Sequence, residues 1–270
     1  MTLEYLKQNW VSHEDPDLQK TMWDRAAVNY KKKPVPDFET NSFLQFMEEH
    51  VPLHEIRSSL DIGCGAGAYS LALASRIDHV TGVDISPAMI SAANGQAEKM
   101  GLSNASFSCV NWSSTDIDAA GYRGAFDLVF AHMTPAISSY DTFHKMVSCS
   151  RRYCILQSNT RRRDRILDRT LELIGIDSSQ VFRDDEIPFC FDYLWLNGYE
   201  PQIFYHQEIW TPVRTLENSL HWCLDRARLY QEITPEQEQI AREYLESQAV
   251  DGMVQEHVNT TIVTMFWEMI

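Results

Sequence analysis

Residues 59–67 read Ser-Leu-Asp-Ile-Gly-Cys-Gly-Ala-Gly, and no other stretch restricts the fold so narrowly. Leu60, Asp61 and Ile62 end a short apolar run of strand character, and Tyr69 to Ile77 place apolar residues at helical spacing. Between the two, glycines alternate at 63, 65 and 67. That spacing keeps the turn free of Cβ atoms, so a ligand can approach backbone where any side chain would collide. The next apolar run, Val80 to Ile85, brings Asp84 roughly twenty residues beyond the turn, where a carboxylate accepts both hydroxyls of a ribose. Glycine turn and second acidic strand end together point to a ligand that contains a nucleoside.

Gly63, Gly65 and Ala68 also satisfy the looser G-x-G-x-x-G/A form that serves nicotinamide and flavin dinucleotides, so the turn alone leaves the ligand class open. Asp61 tips the choice. A carboxylate two residues before the first glycine repels a pyrophosphate and receives an ammonium group; S-adenosylmethionine has that ammonium and no phosphate. With an acidic-x-G-x-G-x-G motif and Asp84 closing the second strand, the sequence resembles the small-molecule branch of the class I S-adenosylmethionine-dependent methyltransferases.

The resemblance continues over about the first 160 residues. Phe107 to Trp112 resembles the third strand and its turn, with Asn111 where the family commonly has the aspartate that meets adenine. Ala125 to Met133 resembles the fourth strand, whose end faces the transferred methyl group. Tyr153 to Ser158 resembles the fifth, although Ser150-Arg151-Arg152 replaces the Gly-Gly turn of many relatives. Residues 22–30, Met-Trp-Asp-Arg-Ala-Ala-Val-Asn-Tyr, resemble the N-terminal helix whose closing tyrosine lies over the cofactor. The implied cofactor contacts are Tyr30, Asp61, Gly63, Cys64, Gly65, Gly67, Asp84, Ile85, Met89, Asn111 and Trp112. Cys64 is expected there by proximity only, because methyl transfer from a sulfonium needs no enzyme-bound intermediate. His132, at the end of the fourth strand, is the candidate general base or substrate anchor, since its unperturbed pKa lies near neutrality; a structural role is the competing reading. Met133, Tyr193, Trp195 and Trp222 are the candidate acceptor contacts from a chain half rich in aromatics, most of which must be core.

The chain has 270 residues, 44% of them hydrophobic, which suits one domain with an elaboration. A net charge of −15 repels phosphate backbones and anionic membrane surfaces, so neither nucleic acid nor membrane is expected as a partner. The basic runs Lys31-Lys32-Lys33 and Arg161-Arg162-Arg163 read as solvated charges. Six cysteines without a C-x-x-C pair read as reduced core residues, and the scattered histidines show no ligand spacing, so no metal is expected. Without a leader-like segment or an eighteen-residue apolar run, a soluble cytoplasmic protein is expected. A homodimer stays open.

Strand-like and helical segments alternate from 56 to about 175, the pattern of a parallel sheet covered on both faces. The expected fold is therefore α/β: a Rossmann-like, doubly wound seven-stranded sheet with N-terminal helices and a helical lid insertion. Its parts are an N-terminal helical cap at 1–50, a cofactor-binding core at 51–212 and 251–270, and a lid at 213–250, where two helices meet near Thr234-Pro235. The lid's job, excluding water from the reacting sulfonium, is carried over from the family. The expected activity is methyl transfer from S-adenosylmethionine to a small molecule, leaving S-adenosylhomocysteine. Another alkyl transfer from the same cofactor, a nicotinamide oxidoreductase and a non-catalytic cofactor-binding module are the alternatives.

Overall fold

The computed structural model describes residues 1–12, 15–178 and 184–270; residues 13–14 of the expected cap and 179–183 of the expected core lie outside them. The chain divides into two compact units, one of residues 1–158, 188–203 and 264–270, the other of 159–187 and 204–263. The expected 213–250 insertion falls inside the second.

In the first unit, α1 (Leu3–Asn9), α2 (Pro16–Tyr30) and α3 (Ser42–His50) precede the strands. Each helix starts where a side chain satisfies its free N–H groups: Asp15 caps α2 ahead of Pro16, and Asn41 caps α3. Then β1 (Ser58–Ile62), α4 (Ala68–Leu73), β2 (His79–Asp84), α5 (Pro87–Met100), β3 (Ala105–Cys109), β4 (Phe126–His132) and α6 (Tyr140–Cys149) alternate as expected. Strand β5 (Ser150–Asp164) is much longer than the expected 153–158 and carries the chain into the second unit. Helix α8 (Glu186–Leu196), β6 (Gln202–Trp210) and β9 (Val258–Glu268) follow, and the seven-stranded sheet has the order β3-β2-β1-β4-β5-β9-β6. The β1–β2, β1–β4, β2–β3 and β4–β5 pairs are all parallel.

Strand β4 is buried at every position up to His132, as a parallel strand covered on both faces requires. On one face Leu128, Phe130 and Ile155 pack with Phe43, Leu44 and Met47 of α3 and with Leu73. The expected third strand stops at Cys109, because Asn111 caps a single 3-10 turn at Trp112–Ser114.

The second unit adds α7 (Arg165–Leu173), the β7 (Val213–Thr215) and β8 (Met253–Gln255) hairpin pair, α9 (Leu216–Arg228) and α10 (Pro235–Gln248). Leu167, Leu171, Leu220, Leu224, Ala241 and Leu245 form its core. The two expected helices do part at Thr234-Pro235: Thr234 caps α10 through a capping box with Gln237, and Pro235 begins it.

At the end of the sheet opposite Ile62, one side chain ties three strands. Asp127 Oδ2 accepts the N–H groups of Arg57 (2.9 Å) and Ser58 (3.2 Å), and its Oδ1 accepts Nε of Arg151 at 2.7 Å. Burial alone would push this carboxyl up, but the hydrogen bonds from Arg151, Arg57 and Ser58 outweigh it and hold it below the usual range. Asp127→Ala should lower the free energy of unfolding at pH 7 by about 2–4 kcal/mol, since two N–H groups lose their acceptor. A depressed carboxyl contributes above the unfolded pKa of about 4 and stops contributing as pH falls through its folded value, so the deficit should shrink in acid. Urea titrations at pH 7 and pH 3 check this; equal midpoints for both proteins at pH 7 would contradict it.

Candidate functional site

The glycine turn leaves β1 at Ile62 and is pinned to β2: the N–H groups of Gly63 and Cys64 donate to the Val83 carbonyl at 2.8 and 3.0 Å. Its three glycines all have positive φ (+72°, +53° and +79°) but serve different ends. A Cβ on Gly63 would lie 1.9 Å from Thr134 Oγ1, and one on Gly67 would lie 2.9 Å from Ala93 Cβ and the Phe107 ring. Those two are glycines because of the protein's own packing. At Gly65 the nearest heavy atom to a Cβ is Met89 Sδ at 4.0 Å, so this glycine alone faces open space. Gly82, which the sequence reading did not single out, belongs to the same packing: its Cβ would meet Phe107 at 2.6 Å and Cys64 Sγ at 2.9 Å.

Asp84 ends β2 with both oxygens engaged. Oδ2 accepts the Gly65 N–H and Oδ1 the Ser86 N–H, each at 2.9 Å. Burial raises its pKa, the two N–H groups oppose that, and Asp24 adds to the rise. Asp61, 2% exposed, accepts a hydrogen bond from Ser70 Oγ at 2.6 Å. Burial pushes its carboxyl up to about 7 against the Ser70 hydrogen bond, and the charge of Asp84 raises it further. Burial, followed by the charges of Asp61 and Asp84, pushes the Cys64 thiol well above its ordinary value, which removes it as a nucleophile.

Asp24, on α2, is the third carboxylate of the cluster and escaped the sequence reading. Its Oδ1 accepts Ser86 Oγ at 2.6 Å and the Ala88 N–H at 3.2 Å, and Lys20 Nζ lies 3.4 Å from Oδ2. Burial would raise its pKa, but the hydrogen bonds from Ser86, Ala88 and Lys20 leave it lowered. No sequence signal links Asp24 to a serine 62 residues away; only the packing of α2 on α5 does. The buried Ser86 also accepts the Met89 N–H at 3.1 Å and so caps α5. Beside this bond Ala26, Ala27, Trp23 and Tyr30 pack with Ala66 of the glycine turn and with Met89. Tyr30 meets the Trp23 ring edge-on, centroids 6.1 Å apart, with Lys33 Nζ 4.2 Å from its own centroid.

Across β1, His132 ends β4 half-buried, its ring 3.9 Å from that of Tyr69 and 4.4 Å from that of Phe43, centroid to centroid. Met133 follows at φ +51°, a left-handed conformation rare for a side-chain-bearing residue, with its N–H on the Gln157 carbonyl at 2.8 Å. Of the residues after β2, Met89 is buried against Gly65, and the Ile85 carbonyl accepts the Cys109 thiol at 3.4 Å.

The structure thus brings together Tyr30, Asp61, Gly63, Cys64, Gly65, Gly67, Asp84 and Met89. Other expected contacts have partners of their own. Trp112 is 3% exposed and donates its indole N–H to the Thr142 carbonyl at 3.0 Å, which makes it a packing residue against α6. Asn111 Oδ1 accepts the Ser113 N–H and hydroxyl at 3.1 and 2.8 Å. Tyr193, also buried, shares a 2.6 Å hydrogen bond with His144 Nδ1 and packs on Tyr140 and Phe143. Trp195 is 61% exposed and stacks on Phe191. Trp222 lies in the second unit, with the Arg214 and Arg226 guanidinium groups 4.9 and 4.5 Å from its ring centroid.

Comparison with known proteins converges on the same segment. Residues 54–177 match the family described as "Methyltransferase domain". A ribosomal protein L11 methyltransferase of Dechloromonas aromatica is 36% identical over 118 residues, 36% of this chain and 39% of the relative. A 23S rRNA uracil-C(5)-methyltransferase of Yersinia pseudotuberculosis is 33% identical over 84 residues, 29% of this chain and 22% of the relative. The chain therefore spans less than half the length of these relatives. Among solved structures, phosphoethanolamine N-methyltransferase 2 of Haemonchus contortus superposes with TM-score 0.54 at 16% identity, over 98% of this chain and 65% of that one. A Bacillus halodurans protein described as a putative methyltransferase gives 0.52 at 15%, over 84% and 99%. The [4+2]-cyclase SpnF gives 0.50 at 17%, over 90% and 94%. These likenesses establish the fold: the seven-stranded, Rossmann-like α/β sheet expected from the sequence.

The electrostatics of Asp61 are testable without any ligand. A carboxyl raised to about 7 when folded, against about 3.9 unfolded, destabilises the fold progressively as pH rises between those values. Asp61→Asn keeps an acceptor for Ser70 and carries no charge. Its melting temperature should exceed that of the native chain at pH 8, and the gap should close near pH 4. A gap that is constant with pH would contradict the shift.

Proposed function

We propose, from the methyltransferase domain at residues 54–177, that this chain binds S-adenosylmethionine at the Gly65 turn and transfers its methyl group to a small-molecule acceptor, releasing S-adenosylhomocysteine. One observation carries the reading: the only open glycine face of the turn lies beside Asp84 and the buried Asp61, whose pKa the charge of Asp84 raises. A pyrophosphate would worsen that repulsion, whereas a ligand with an ammonium and a ribose relieves it.

When bound, the cofactor supplies a methyl group already activated on a sulfonium. The chain's residues then bind, orient and exclude water. Asp84, fixed by two backbone N–H groups, turns its remaining lone pairs to the ribose hydroxyls. Asp61 accepts the ammonium and is thereby held ionised. Tyr30 and Trp23, packed over Ala66 through α2, close the turn from the side of the N-terminal helices. His132 and Met133, at the end of β4, stand for the acceptor side; His132 takes a proton where the acceptor's nucleophilic atom still carries one. A net charge of −15 favours a small acceptor over a polyanion such as the 23S rRNA for which the Yersinia pseudotuberculosis relative is named. No helix among the described residues is long and apolar enough to cross a membrane.

A second reading has an observation of its own, since a [4+2]-cyclase shares the fold. Mass spectrometry of the chain incubated with S-adenosylmethionine and an acceptor library separates the possibilities: S-adenosylhomocysteine with a methylated product supports the proposal, methylthioadenosine indicates a different transfer, and unconsumed cofactor with a rearranged acceptor indicates a cyclase-type reaction.

Asp84→Ala tests the binding mode. It removes two charge-assisted hydrogen bonds to the ribose, each worth roughly 1.5–3 kcal/mol, so affinity for S-adenosylhomocysteine should fall about a hundredfold or more. The melting temperature of the free protein should fall too, because the Gly65 and Ser86 N–H groups lose their acceptor. Calorimetry that finds native affinity would remove Asp84 from the site.

A further inference from the structure

Strand β6 ends the sheet order, so among the described residues no further strand covers its outer edge. Edge strands of monomeric proteins are ordinarily protected by lysines, prolines, bulges or shortness. β6 contains no lysine or proline and is not short. It runs nine residues from Gln202 to Trp210 with Glu208 as its one formal charge, in a chain that is 23% charged. It also shows apolar side chains on both faces: Tyr205 is 76% exposed and Ile209 61% on one, Phe204 37% on the other. An apolar, nine-residue edge of this kind is a template for another strand.

The order of the side chains identifies that strand. When β6 is laid antiparallel against a copy of itself with a two-fold axis through Gln207, residues whose numbers add to 414 face each other. Tyr205 then opposes Ile209, Phe204 opposes Trp210, and His206 opposes Glu208, each twice across the axis. Aromatic–aliphatic, aromatic–aromatic and histidine–carboxylate are the cross-strand pairs that stabilise antiparallel sheets. His206 Nε2 and Glu208 Oε1, on the same face and 2.8 Å apart within one strand, have the chemistry to exchange partners across the axis. Shifting the axis by one residue, to His206, would set Phe204 against Glu208 and the imidazole against itself.

We propose that β6 is a homodimer interface, in which two copies of the chain pair antiparallel about Gln207 and join their sheets edge to edge. A two-fold interface of this kind is isologous: it consumes the β6 edge of both copies and closes at the dimer.

Light scattering of the full chain over about a hundredfold concentration range reads the assembly directly. The native chain should have twice the monomer mass at the upper end. The double variant Tyr205→Lys, Ile209→Lys sets like charges opposite each other and should be monomeric. Tyr205→Lys with Ile209→Glu sets opposite charges there and should restore the dimer. Within one strand these positions lie about 13 Å apart, too far for that rescue to be intramolecular. In a Cys109→Ser background, Gln207→Cys should form an intermolecular disulfide on mild oxidation, and His206→Cys should not. A monomeric native chain, a dimer indifferent to the two lysines, or a failure of the lysine–glutamate pair to rescue would each overturn the proposal. Equal crosslinking from 206 and 207 would overturn the register.

Discussion

Asp84 holds two loops at once. Its hydrogen bonds to the Gly65 and Ser86 N–H groups join the glycine turn after β1 to the start of α5 after β2, so the carboxyl ends of two neighbouring strands form one rim. The carboxylate that this rim depends on is half-buried, its own pKa raised by burial and by Asp24, and its charge raises the pKa of the buried Asp61. Concentrated negative charge in a low-dielectric setting is costly, and the fold tolerates it through fixed donors and, at Asp61, through a proton held near neutrality. In the proposed binding mode, a ligand with a positive group takes over what that proton does.

Helix α2 extends the same network outward. Asp24 on Ser86 and Ala88, and the two alanines Ala26 and Ala27 against Ala66 and Met89, fasten the helix beside the open face of Gly65. The small side chains let the backbones approach, and Trp23 and Tyr30 supply the apolar mass around the rim. Ser86 serves both ends, donating to Asp24 and capping α5, so helix α2 and the start of α5 share one hydroxyl.

Much of this is legible in the sequence where chemistry is local. The glycine spacing, the acidic residues at 61 and 84, the Ser86-Pro87 helix start and the Thr234-Pro235 break each declare themselves within a few residues. What stays hidden is set by distant packing. Nothing near Gly63 or Gly67 reveals that Thr134 and Phe107 fill the space over them, and nothing near Asp24 names Ser86. Trp112 and Tyr193 show why an aromatic near a motif misleads: each has an N–H or O–H that finds a partner at α6, and burial against that helix satisfies the whole side chain. Strand β5 outran its expected end because polar residues 157–164 continue the ladder into the second unit, where apolar alternation no longer marks a strand.

The most direct test of the acidic rim follows protons. Binding a ligand ammonium against Asp61 must ionise a carboxyl whose pKa is raised to about 7, so binding at pH 6 should release close to one proton, and at pH 8 almost none. Calorimetric titration with S-adenosylhomocysteine in two buffers of different ionisation enthalpy counts that proton at each pH. The account predicts release at pH 6 that disappears in Asp61→Asn. Binding with no proton released at pH 6, or with the same release in both proteins, would contradict it.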